Sequence, residues 1–103
     1  MPMWHRLDIY ERDGFRCRYC GFDGTSFDSW AFLEVDHIDP GGPRDDPANL
    51  ATCCHRCNAW KGNDPCTSIE EAREIIGRHR VANLAYWERE VVPRIRSTVR
   101  QEK

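Results

Sequence analysis

Two sets of residues in this chain have types and spacing that could do chemistry. The first is a pair of cysteine knuckles, Cys17-x-x-Cys20 and Cys54-x-x-Cys57. Tetrahedral Zn2+ takes four thiolates at about 2.3 Å, and a two-residue spacer lets one turn present two sulfurs to one ion. A thiol redox pair would need only one such motif, and no βαβ pattern surrounds either knuckle. Cys53 would leave a three-residue spacer to Cys57, so Cys54 is the expected ligand. Cys53 and Cys66 read as small buried residues. Four thiolates leave no open position, so this zinc is expected to hold the fold, supplying ~10–16 kcal/mol of apparent binding energy. The segment 13–62 is small enough to need it.

The second set lies between and just after the knuckles: Asp36-His37, Asn49, Asn58 and then Lys61. A phosphodiester repels hydroxide, and water is a poor nucleophile at neutral pH. A histidine such as His37, with an unperturbed pKa of about 6.5, can take a proton from that water. Asp36 and Asn58 each offer an oxygen, a hard pair better suited to Mg2+ or Mn2+ than to zinc. Two protein ligands leave positions for phosphate oxygens and water. On a regular strand Asp36 and His37 point to opposite faces, so both serve one site only if the strand ends or bulges there. Pro40-Gly41-Gly42 downstream is where extended geometry is expected to break. Plain structural roles compete: a strand-end pair for Asp36-His37, a turn cap after Pro47 for Asn49, a helix-surface residue for Asn58.

Taken together, Cys17-Arg18-Tyr19-Cys20, Val35-Asp36-His37-Ile38-Asp39-Pro40, Gly41-Gly42, Asn49-Leu50 and Cys54-His55-Arg56-Cys57-Asn58-Ala59-Trp60-Lys61-Gly62 resemble the zinc-stapled HNH endonucleases of bacteria and phages. The resemblance covers about half the chain. It implies an α+β fold, a small ββα-metal domain stapled by the four-cysteine zinc site. It implies Asp36 as the first ligand of a catalytic Mg2+ or Mn2+ and His37 as the general base. Asn49 would hold the loop that orients the histidine. Asn58 stands at the last motif position, where many members have histidine, a departure that bears on which metal is preferred. The activity implied is hydrolysis of DNA phosphodiester bonds to 5′-phosphate and 3′-hydroxyl ends.

Lys61, Arg56 and Arg44 flank this site and are candidates for phosphate contacts. Arg94, Arg96 and Arg100 lie in a basic tail that either extends a DNA footprint or forms a solvated terminus. His55, three residues before Asn58, is expected to face solvent near the knuckle. His5 and His79 read as surface residues, and Trp60 and Trp87 as packing residues.

The whole-chain arithmetic bounds these readings. The 103 residues suit a single domain, here 1–103, with a motif core at 13–62 and a helical extension at 67–103. Fifteen Lys and Arg against 17 Asp and Glu give a net charge of -2, which argues against attachment to DNA by bulk charge. Four thiolates with Zn2+ add about -2 more, so a phage packaging or restriction partner is a candidate for delivering substrate. No apolar run approaches the ~18 residues of a membrane span, and the N-terminus lacks a signal-like apolar region. A cytoplasmic setting, in a bacterium or phage-infected host, is the expectation. A non-catalytic zinc module that binds nucleic acid or protein is the competing reading, with a thiol oxidoreductase a third. Monomer and homodimer are both open, and the helices from Ser68 offer a dimer surface.

The elements that must position these residues follow from patterning. Trp4 to Asp13 suits a helix with Leu7, Ile9 and Tyr10 partly buried, ended by Gly14. Residues 17–21 suit a tight turn, and 22–30 read as loop. Residues 31–38 alternate as a strand, with Leu33, Val35 and His37 sharing a face. A loop runs from Asp39 to Pro47, a short strand covers 49–53, and a helix starts at Cys54 and ends at Gly62. Thr67 with Glu70 and Ser68 with Glu71 offer two overlapping capping boxes for a further helix. Gly77 is expected to interrupt that helix, and Pro93 to kink or end its continuation through Leu84, Trp87, Val91 and Ile95.

Overall fold

The computed structural model of the chain describes residues 5–101, and the side chains of residues 5–99. Trp4, where the sequence reading begins its first helix, lies outside the described residues. The order is α1 (Arg6–Arg12), α2 (Phe27–Trp30), β1 (Leu33–His37), β2 (Leu50–Cys54), α3 (His55–Lys61), α4 (Ile69–Tyr86), a π-helical turn (Trp87–Val91) and α5 (Val92–Gln101). Strands β1 and β2 pair antiparallel, with Leu33 opposite Cys54 and His37 opposite Leu50. The β1–β2–α3 run is the ββα arrangement that the resemblance implies. No helix among the described residues is long and apolar enough to cross a membrane.

Strand β2 is buried along its whole length. Opposed residues of an antiparallel pair share a face, so Ala51 and Cys53 lie with Asp36 and Glu34, and Thr52 and Leu50 with Val35 and His37. The first face meets the main core, where Cys53 joins Cys66, Ala72, Ile75 and Ile76 from the start of α4, with Trp60 and Phe22 at its edge. The second meets α1, whose Ile9 and Tyr10 are buried. The Tyr10 hydroxyl donates to the Leu33 carbonyl at 2.8 Å, and Thr52 Oγ1 donates to the Ile9 carbonyl at 3.3 Å. Leu7 is exposed, because only one side of this two-turn helix touches the sheet.

Several expectations are corrected. Residues 22–30 are not all loop: α2 forms because Ser26 and Ser29 cap its first turn reciprocally. Gly77 does not interrupt α4, which runs unbroken from its Ser68 cap; a single helical glycine costs only about 1 kcal/mol and neighbouring turns carry it. Pro93 does not end the helix. The ladder widens instead into the π turn just before it, where the Val92 N–H reaches the Trp87 carbonyl. Trp87 is 45 % exposed and is not a core residue.

Asp13 ties α1 to the sheet. Its carboxylate accepts from the Thr52 N–H at 2.9 Å and pairs with Arg12 at 2.9 Å, and its side chain is 5 % exposed. Arg12 also donates to the Pro47 and Leu50 carbonyls, anchoring the end of the 38–49 loop. Burial alone would raise the Asp13 pKa, but the Arg12 and Thr52 hydrogen bonds outweigh it and hold the group below its ordinary value. A depressed folded-state pKa gives stability that is present above about pH 3.9, the unfolded value, and lost as pH falls through the folded one. Asp13→Asn should therefore cost about 1–3 kcal/mol at neutral pH and flatten the acid limb of the stability curve, as thermal unfolding at a series of pH values would read.

Candidate functional site

The knuckles come together. Cys17, Cys20, Cys54 and Cys57 place their sulfurs within 4.8 Å of one another. The first knuckle turns through Gly21, whose φ of 82° lies in the left-handed region that favours glycine, and its N–H bonds the Cys17 carbonyl at 2.8 Å. Arg18 N–H bonds the Thr52 carbonyl, and the Arg73 guanidinium of α4 bonds the Arg18 carbonyl at 2.7 Å, so this turn is pinned between β2 and α4. The second knuckle is made by the start of α3: Cys54 is its N-cap, with its sulfur 3.5 Å from the Cys57 N–H. Hydrogen bonding to Cys17 is the main cause that pushes the Cys54 thiol up to about 11, and it raises Cys57 as well. Soft sulfurs converging in this number suit zinc, and a bound ion would replace the thiol protons. Cys53 and Cys66 are buried elsewhere in the core.

Residues from β1 and α3 form the second set. Asp36 Oδ2 accepts from the Tyr19 hydroxyl at 2.7 Å and pairs with Lys61 Nζ at 3.1 Å. Lys61, expected at a phosphate, is instead buried, with its ammonium also on the His37 carbonyl at 3.1 Å. Position 61 falls on the α3 face that packs against β1, where a charge must find partners. Burial, with the bond to Asp36 next, pushes the Tyr19 hydroxyl well above its ordinary range, so it stays protonated and donates.

One step along the same face, Asn58 Nδ2 donates to Glu34 Oε1, and His55 Nδ1 meets Glu34 Oε2 at 2.7 Å. His55 is exposed as expected, but engaged. Glu34 and Tyr19 were missed in the sequence. Glu34 could have been found, because a strand repeats every two residues and it therefore shares a face with Asp36; nothing in the sequence singled out Tyr19.

Strand β1 stays in register through its last residue, so no bulge intervenes and His37 leaves on the face opposite Asp36. Its ring reaches the loop beyond, with Nε2 2.8 Å from the Arg44 carbonyl. A carbonyl only accepts, so in the neutral ring Nε2 carries the proton and Nδ1 the free lone pair. The loop is held by Asn49: its Oδ1 accepts from the Asp39 N–H at 3.0 Å, and its Nδ2 donates to the Asp39 and Pro43 carbonyls at 3.1 and 3.0 Å. Arg44 thus meets the site through its backbone, and its side chain is solvent-exposed. Arg56 lies over the Trp60 ring, 5.1 Å from its centroid. Arg94 and Arg96 are exposed on α5, and the Arg100 side chain lies outside the described residues.

The HNH endonuclease family model matches residues 17–64, from the first knuckle through the end of α3. Residues 17–64 are a domain of the HNH endonuclease family. Two curated relatives are CRISPR-associated endonucleases Cas9. That of Corynebacterium diphtheriae is 37% identical over 89 residues, covering 76% of this chain and 8% of the relative. That of Actinomyces naeslundii is 31% identical over 114 residues, covering 90% of this chain and 10% of the relative. The chain thus spans about a tenth of the curated relatives it matches. No solved structure matches it significantly.

The cluster joins the two ends of the HNH domain. Purified protein should carry one zinc per chain by elemental analysis, and Cys57→Ser or a strong chelator should remove it. The apparent zinc contribution of ~10–16 kcal/mol exceeds the stability of most small domains, so zinc loss should abolish the cooperative thermal transition.

Proposed function

We propose that this chain is a metal-dependent endonuclease that hydrolyses DNA phosphodiester bonds, with His37 as general base and a divalent cation held by Asp36 and Asn58. The observation that carries the reading is the bond from His37 Nε2 to the Arg44 carbonyl. It leaves Nδ1 as the atom that takes a proton from the attacking water, and the same carbonyl stabilises the imidazolium that results. Asn49 acts at one remove, as a positioning residue that fixes the loop carrying that carbonyl.

The donor set fits a hard cation. Asn58 gives its Nδ2 to Glu34, which leaves its Oδ1 as the ligand atom. Tyr19 and Lys61 both meet Oδ2 of Asp36. The carboxylates of Glu34 and Asp36 outweigh the Lys61 ammonium by one charge, so the face still attracts a cation. When bound, Mg2+ or Mn2+ would neutralise the scissile phosphate and the departing 3′ oxygen. Because Asp36 and His37 leave opposite faces of β1, a phosphate that meets both must sit at the end of the strand. Arg44, seven residues beyond His37 and exposed, is the basic side chain offered to a phosphate there, with Arg56 on α3 and Arg94 and Arg96 on α5 as further candidates.

The second reading, a zinc module that binds without cutting, draws support from the burial of Lys61 and its capture of Asp36. The net charge of -2 supports a nuclease that depends on a packaging or restriction partner for delivery. A cytoplasmic setting is proposed from the six cysteines, which form no disulfide and suit metal binding.

Incubation of supercoiled plasmid with purified chain and Mg2+ or Mn2+ separates these readings. Nicked or linear product that disappears in a metal-free control supports the nuclease, and zinc-loaded protein that leaves the plasmid intact supports the binding module. His37→Ala is the cleanest substitution, since removing Asp36 would strand a buried ammonium. It should lower the cleavage rate by about 10²–10⁴-fold with zinc content and melting temperature unchanged. Asn49→Ala should cost less, about 10–100-fold, as expected of a group that orients a reacting residue rather than reacting. Cleavage by His37→Ala at the wild-type rate would refute the assignment of the base.

A further inference from the structure

Tyr19 belongs to the cysteine cluster by position and to the second site by contact. It lies inside the first knuckle, between Cys17 and Cys20, and it is buried. Its hydroxyl donates to Asp36 Oδ2 at 2.7 Å, across 17 residues of chain. A buried hydroxyl needs a partner, but that need does not call for a carboxylate. Nor does the charge of Asp36 call for a tyrosine, because Lys61 Nζ already meets the same oxygen at 3.1 Å. Lys61 divides its ammonium between Asp36 and the His37 carbonyl. The phenol has a single donor proton, and it marks one oxygen of Asp36. Among the described residues no donor reaches the other oxygen, Oδ1.

The knuckle fixes where the phenol stands. Before Tyr19, Cys17 N–H bonds the Phe22 carbonyl and Arg18 N–H bonds the Thr52 carbonyl, both at 2.9 Å. After it, Gly21 N–H closes the turn on the Cys17 carbonyl at 2.8 Å. The ring therefore leaves a turn that is held on both sides, and four converging sulfurs hold that turn against the start of α3. We propose that Tyr19 is a positioning residue for the divalent cation. It holds Asp36 by Oδ2 so that Oδ1 is the ligand atom, and it carries the geometry of the cysteine cluster to the cation site. This rests on the reading of Asp36 and Asn58 as the cation's ligands. A hydrogen bond that orients a ligating group is typically worth about 10–100-fold in metal affinity. The cluster then serves the reaction as well as the fold, through one hydroxyl.

Titration of the zinc-loaded chain with Mg2+, followed by NMR at the amide signals of Asp36 and Asn58, reads the dissociation constant without any need for cleavage. Tyr19→Phe keeps the ring and removes the hydroxyl, and Asp36 keeps Lys61 as its partner. At a temperature where both chains are folded, the variant should hold one zinc per chain and bind Mg2+ about 10–100-fold more weakly. A hydroxyl with a purely structural role would lower the melting temperature and leave the Mg2+ affinity as in wild type. Unchanged affinity overturns the proposal, whatever the melting temperature. Asn58→Ala tests the underlying reading separately, and it should abolish the Mg2+-dependent shifts. A wild-type chain without such shifts, or an Asn58→Ala variant that retains them, overturns the cation site itself and the role of Tyr19 with it. Loss of Mg2+ binding in Asn58→Ala beside wild-type binding in Tyr19→Phe overturns the positioning role alone.

Discussion

Cys54 ends β2 and also caps α3, so the sulfur that closes the cysteine cluster sets the angle at which the helix leaves the sheet. The other knuckle is fixed at the same point by backbone bonds from Arg18 to β2 and from Arg73 to Arg18. Four sulfurs within 4.8 Å leave little freedom in how β1, β2 and α3 meet. Everything on the β1–α3 face inherits that alignment: Glu34 meets His55 and Asn58, and Asp36 meets Lys61 one turn further on. A small hairpin and a two-turn helix have too little apolar surface to hold such an arrangement alone. The cluster supplies what the core does not.

The site then divides between a rigid part and a propped part. Asp36 lies on a regular strand between a buried lysine and a buried tyrosine. His37 leaves the other face, and its ring direction depends on one carbonyl of a loop. That loop contains three prolines and two glycines and would be mobile if left to itself. Asn49 makes three hydrogen bonds to its two sides, and Arg12 anchors its end from α1. The helix outside the HNH core therefore contributes to the geometry of the proposed base, through Arg12 and through the Asp13 link to β2.

The helices beyond α3 follow different rules. They carry no residue of the HNH motif, and their second half has exposed apolar side chains where a domain surface would be polar. The π turn ahead of Pro93 shows how the helix survives a residue that cannot donate: the hydrogen-bond ladder opens by one residue instead of breaking. Continuity through that point keeps Val91 and Ile95 on one face.

Much of this was legible in the sequence. The doubled Cys-x-x-Cys spacing named the cluster, because ligand type and spacing act locally at each turn. Strand alternation predicted the opposite directions of Asp36 and His37, and the Ser68 cap located the start of α4. Local signals misled where a longer context outweighed them: Gly77 and Pro93 are absorbed by a helix with turns on both sides, and the short α2 hid among polar residues. Only the tertiary structure decided that Lys61 serves Asp36 and not the solvent, that Tyr19 and Glu34 join the site, and that the Arg44 backbone orients His37. These are meetings between residues far apart in the chain or between a side chain and a carbonyl. Residue type announces which bonds a group can make, but the partner is settled only when strand, loop and helix are packed at a fixed distance.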